Sequence, residues 1–159
     1  MELKAPSPSI VVCDMWNELV PNDVNYYSYL QKDTHAFGTF LNTVLNWERH
    51  HGATIYHCAN GRQIMESIDV NHKDVVLDRL ADISLDHNRY IFVGLHKNRC
   101  VDGYARELID LGVEPHRLEC WINCIMTYPH TTFHNDYPTF KMGFWTHGNV
   151  TWLDGVAYV

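Results

Sequence analysis

Cys100 and Asp14 are the residues of this 159-residue chain best placed for chemistry. Cys100 lies in YIFVGLHKNRCVDGYARELIDLG, from Tyr90 to Gly112. There an apolar run leads through Gly94 and a polar loop into an amphipathic segment that Gly112 closes. Val101, Tyr104, Ala105 and Leu108 share one helical face, so the stretch is a strand, a turn and a helix with Cys100 in the first helical turn. Unpaired backbone N–H groups and the positive end of the macrodipole favour a thiolate at that position. Asp14 follows Ile10-Val11-Val12-Cys13, a continuous apolar run of the kind found in strands buried on both faces. Parallel sheets bind ligands beyond the carboxyl ends of their strands, where the strand order reverses. If the two strands are neighbours, Asp14 and Cys100 face one cleft as base and nucleophile. The turn from Gly94 to Arg99, which includes His96 and Lys97, would then aim N–H groups at an oxyanion.

Several elements must position this pair. The loop from Asn17 to Asp33 is long, polar and without period, as expected of a surface loop over a site. From Thr34, Phe37, Phe40, Leu41, Val44 and Leu45 follow helical spacing as far as His50 or His51, with Gly52 as the stop. Residues 53–58 form a second strand, giving the βαβ alternation of a parallel sheet, and His57 near its end is a candidate lining residue. A third helix is expected from Lys73 to about Ala81, with Val76, Leu77 and Leu80 buried; Ser67 to Val70 is the candidate strand in the polar connection before it. Residues 118–126 alternate apolar side chains at Leu118, Cys120, Ile122, Cys124 and Met126, predicting a strand with one core face. The tail 127–159 is rich in His and aromatic residues and is strand-like only at 150–153 and 156–159.

Composition bounds the function. Twelve Lys plus Arg against nineteen Asp plus Glu leave a net charge of −7 with no basic block, which argues against nucleic acid as a partner. No apolar stretch is long enough to span a membrane and MELKAPSP lacks a signal-peptide core, so a cytoplasmic protein is expected. The length suits a single domain over 1–159. Five cysteines without a C-x-x-C pair fit reduced thiols. Among eleven histidines, His130 and His134 have zinc-pair spacing but stand between prolines without the Glu of H-E-x-x-H, so no metal site is expected.

VGLHKNRCVDGYAREL at 93–108, together with IVVCDMWNEL at 10–19, resembles the isochorismatase-like cysteine hydrolase superfamily over roughly residues 8 to 126. The resemblance implies a three-layer α/β/α sandwich with a mostly parallel central sheet. It implies Asp14 as the catalytic acid–base, Cys100 as the nucleophile and the loop 95–100 as the oxyanion hole. The family's triad is completed by a Lys standing before a helix between the Asp and the Cys, and Lys73 is the candidate. Departures are Lys97 where Thr or Ser is usual, Trp16 where Gln is usual, the missing D-x-H metal motif of the nicotinamidase branch, and a tail without the last long helix. The function implied is hydrolysis of a small amide at its C–N bond, without a cofactor, on a small-molecule substrate, in a homo-oligomer. The alternative is a catalytically silent member of the fold that binds a small ligand or a protein, with the aromatic tail as contact surface. Carbon–oxygen hydrolysis ranks lower, because the isochorismatase branch lacks the nucleophilic Cys.

Overall fold

The computed structural model describes residues 7–16, 27–28, 34–95, 100–127 and 141–153. In chain order these form β1 (Pro8–Cys13), β2 (Tyr27–Ser28), α1 (Thr34–His50), β3 (Thr54–Cys58), β4 (Val75–Leu77), β5 (Arg89–Leu95), α2 (Cys100–Asp110), β6 (Leu118–Thr127), β7 (Lys141–Thr146) and β8 (Asn149–Trp152). The strands make one sheet in the order β4-β3-β1-β5-β6-β7-β8, with β2 paired to β6. All contacts from β4 across to β7 are parallel; only β7–β8 and β2–β6 are antiparallel.

The continuous apolar run of β1 has the predicted cause. Ile10 and Val12 pack with Ile55, Ile91 and Val93 beneath Phe37, Leu41, Val44 and Leu45 of α1. Val11 and Cys13 point the other way, to Tyr56, Tyr90 and Phe92 and to Val101, Ala105 and Leu108 of α2. Alternation in a strand thus feeds two cores, one under each helix, and the molecule is the expected three-layer α/β/α sandwich. The helix α2 ends as its sequence predicts. Gly112, at φ 105°, donates to the Ile109 carbonyl while Val113 donates to Leu108, the paired bonds of a Schellman motif.

The order of strands puts a topological switch between β1 and β5. From β1 the chain moves outward through β3 to β4, then returns to the opposite side of β1 as β5. Cys13 pairs with Gly94 at the top of this junction. A Cβ on Gly94 would press into the Cys13 carbonyl oxygen and stand 2.9 Å from its nitrogen, and the glycine has φ 102°. Only a residue without a side chain lets the strand ends meet there.

Three expectations fail. The third helix does not form: Val75–Leu77 is a parallel edge strand on β3, followed by a 3-10 turn at Leu80–Asp82. The Asp74 carboxylate accepts from the Asn71 N–H and from Arg49 of α1, which closes the turn at 71–74 and holds the chain against α1. Two β-branched valines then continue more readily along β3 than into a helix. Ser67 to Val70 is not a strand either. In β6 the alternation is broken rather than continuous. Leu118 and Cys120 face α2, but so does Ile125, while Trp121 and Cys124 face α1. A register shift against β5 between Phe92 and Gly94 reverses the faces, so β6 fills both cores. In the tail, β8 covers much of the expected 150–153 strand; residues 156–159 lie outside the described residues, as does most of the Asn17 to Asp33 loop.

Gly94→Ala is expected to lower stability by more than about 2 kcal/mol. Gly103→Ala, in the exposed middle of α2 with nothing within 4 Å of its new methyl group, should raise it by up to about 1 kcal/mol. Urea denaturation of the two variants measures both.

Candidate active site

The first strand delivers Asp14 in an unusual conformation. It has φ 52°, in the left-handed region, and is only 2% exposed. The segment is tied down on both sides: Met65 donates its N–H to the Met15 carbonyl at 2.8 Å, Trp16 bridges to Ile64, and the Trp16 indole N–H donates to the Cys58 carbonyl at 2.8 Å. A strained backbone held by three separate contacts turns the carboxylate to the α2 side of the sheet.

Cys100 is the first residue of α2 and is partly exposed. Its side chain is hydrogen-bonded to Asp14. The pair expected from the two strand ends is therefore assembled at the β1/β5 switch point, beside a helix N-terminus. A second group on the same helix joins it. Tyr104 stands one turn after Cys100, and its hydroxyl donates to Asp14 Oδ1 at 2.5 Å. Asn60, in the turn after β3, donates its amide to the Tyr104 oxygen at 2.6 Å. Arg62 follows in the same turn, with its guanidinium 4.4 Å from the centre of the Trp16 ring. Burial raises the Asp14 pKa above the ordinary carboxylate value, and the bonds from Cys100 and Tyr104 and the Arg62 charge offset only part of that rise. A carboxyl shifted upward is a better base near neutral pH. Burial first, and Asp14 second, push the Tyr104 phenol up, so it stays protonated. The neighbouring thiols of Cys13 and Cys58 are raised by burial and are inert core groups.

Of the other expected site residues, Trp16 lies beside Asp14, its N–H donating to the Asp14 carbonyl, and its ring carries Arg62. His96 and Lys97 lie outside the described residues. Lys73 does not join the pair. It is exposed in the turn before β4, whose Val75 is level with Tyr56 and hence with Val11. Asp14 stands beyond the carboxyl end of β1, whereas Lys73 stands before the amino end of β4, two strands away. Without the third helix, nothing lifts this lysine to the carboxyl ends. The cation acting on Asp14 among the described residues is Arg62. Tyr104, Asn60 and Arg62 were not anticipated as site residues. The available signal was the spacing of Cys100 and Tyr104, i and i+4, which places both on one side of a helix.

His57 belongs to the opposite face and does not line the cleft. Its paired residue Val12 packs beneath α1, and its Nε2–H donates to Asp74 Oδ2 at 2.8 Å, while Arg49 of α1 binds the same carboxylate. His57 Nδ1 is buried with no hydrogen-bond partner among the described residues. Burial lowers the His57 pKa, with the Arg49 charge adding to it, against the opposing pull of Asp74. For Asp74, burial would raise the pKa, but the hydrogen bonds from Arg49, His57 and the Asn71 N–H outweigh it and hold the carboxyl below its ordinary value. Unfolded His57 takes up a proton below about pH 6.5 and the folded form only at lower pH, so stability falls as pH drops through that window. Asp74 adds stability above its ordinary value, near pH 4, that is lost as pH falls through its lower folded value. Urea midpoints measured from pH 7.5 to pH 3 should decline in two stages, and His57→Asn should flatten the upper one.

No family model and no curated protein sequence matches this chain. Solved structures do. An isochorismatase-like hydrolase from Alkaliphilus metalliredigens aligns with a TM-score of 0.56 at 12% identity, over 79% of this chain and 82% of that one. A MAR1 ribonuclease from Caenorhabditis elegans aligns with a TM-score of 0.56 at 13% identity, over 82% of this chain and 70% of that one. A candidate MAR1 ribonuclease from Leishmania major aligns with a TM-score of 0.55 at 8% identity over 77% of this chain, which spans 66% of that protein's length. The strand order, the two-sided helices and these alignments agree that the chain has the isochorismatase-like fold.

Proposed function

We propose that this protein is a cysteine hydrolase that cleaves the C–N bond of a small amide. The reading is carried by one observation, the hydrogen bond between Asp14 and Cys100 where β1 and β5 meet beside the start of α2. Asp14 takes the thiol proton as the sulfur attacks the substrate carbonyl. Backbone N–H groups at the start of α2 hold the developing oxyanion. Collapse of the tetrahedral intermediate breaks the C–N bond, and Asp14 returns its proton to the departing amine. A water molecule, deprotonated by Asp14, then attacks the thioester, releasing the acid and restoring the thiol.

The second reading is a catalytically silent member of the fold that binds a small ligand or a protein. What favours it is the position of Lys73, before the amino end of β4 and two strands from β1, so that this lysine does not supply the ammonium the family resemblance leads one to expect.

One experiment separates the two. Cys100 alkylation by iodoacetamide, read by peptide mass spectrometry between pH 5 and 9, should be at least about tenfold faster than that of buried Cys13 and should slow in Asp14→Asn. The same protein, incubated with a panel of small primary amides, should release ammonia, and Cys100→Ala should lower that rate by about 1,000-fold or more. Fast, Asp14-dependent labelling without turnover of any amide in the panel would favour the binding module.

A further inference from the structure

Tyr104 reaches Asp14 from the same helix as Cys100. Its hydroxyl has a single proton, and that proton is given to Asp14 Oδ1 at 2.5 Å. Its oxygen cannot turn away, because the Asn60 amide donates to it at 2.6 Å. Asn60 is itself held with φ 51°, its N–H and that of Ala59 both directed to the Leu77 carbonyl, while Gly61 donates to Asp78 Oδ1 at 3.1 Å. A built chain thus runs from the turn after β3, through the phenol, to the carboxylate.

We propose that Tyr104, oriented by Asn60, is the positioning residue that completes the Asp14–Cys100 pair in the place a lysine would take, and that it does so as a neutral donor. This rests on the hydrolase reading above. An ammonium would donate to the carboxylate and stabilise a thiolate by its charge. A phenol can do only the first. It occupies Oδ1, makes that oxygen the less basic of the two, and leaves Oδ2 to receive the thiol proton. The pair therefore shares one proton between sulfur and carboxylate, with one negative charge overall. Arg62, exposed and with its guanidinium over the Trp16 ring, acts on Asp14 through its charge.

The measurement is the pH profile of Cys100 alkylation in the full chain, for wild type, Tyr104→Phe and Asn60→Gly, with the thermal midpoint of each recorded. The low-pH limb of the profile reports protonation of the pair. Loss of the phenolic donor makes the carboxylate hold its proton more tightly, so Tyr104→Phe should move that limb up by about one pH unit. Asn60→Gly, which tolerates the positive φ and keeps the phenol, should move it the same way by less. A Tyr104→Phe limb that coincides with wild type while the wild-type profile still depends on Asp14 overturns the role of Tyr104 and leaves the hydrolase reading standing. A wild-type profile that is unchanged by Asp14→Asn removes the hydrolase reading itself. Should Tyr104→Phe fail to fold, Asn60→Gly alone decides: a shifted limb supports the proton-holding chain and an unshifted one overturns it.

Discussion

Everything at the cleft depends on how closely β1 and β5 approach one another at their carboxyl ends. Backbone meets backbone at Cys13 and Gly94, with no room for a side chain between them. One strand then leads directly into Asp14 and the other continues toward the start of α2. Neither core produces this junction by itself. The α1-side core anchors Ile10, Val12, Ile91 and Val93, the α2-side core anchors Val11 and Phe92, and the pairing register transmits both to the strand ends. Burial of alternate residues on opposite faces makes a slip of one residue unfavourable on both faces at once.

The two faces of the sheet hold different polar arrangements. On the α2 side, Asp14 has neutral donors, Tyr104 and Cys100, and its carboxyl stays raised despite them. On the α1 side, Asp74 is gripped by the fork of Arg49 and by His57, and its carboxyl is lowered. A paired carboxylate of the second kind fixes structure: it ties α1 to the edge of the sheet. A carboxylate of the first kind retains affinity for a proton.

Much of this was legible in the residues. The runs at 9–13 and 90–93, the helical spacing from Phe37 to Leu45 and the Gly112 stop each have one physical reading, and local pattern and tertiary packing agree there. Asp14 and Cys100 could be paired because strand ends at a switch point are where parallel sheets gather side chains. Lys73 failed because Val75, Val76 and Leu77 are too few to show a period, and the deciding contact, Arg49 to Asp74, spans 25 residues. His57 was misplaced by counting position along a strand without counting its face. The reversal within β6 was invisible because the alternation from Leu118 to Met126 is unbroken in the sequence and the register shift that reverses it is set by pairing with β5. Tyr104 was visible as a helical residue but looked like packing, since its partner Asn60 lies 44 residues away.

Cys100 and Tyr104 ride on one helix, four residues apart, so their separation is set by helix geometry. Asp14 rides on β1. A constellation drawn from three separate elements must hold two relative placements within a fraction of an ångström; this one must hold a single placement, that of α2 against β1. The number of rigid-body degrees of freedom that packing has to suppress is halved. A chain whose segment at 73–81 has become an edge strand and a short turn instead of a helix can therefore keep its central pair in register.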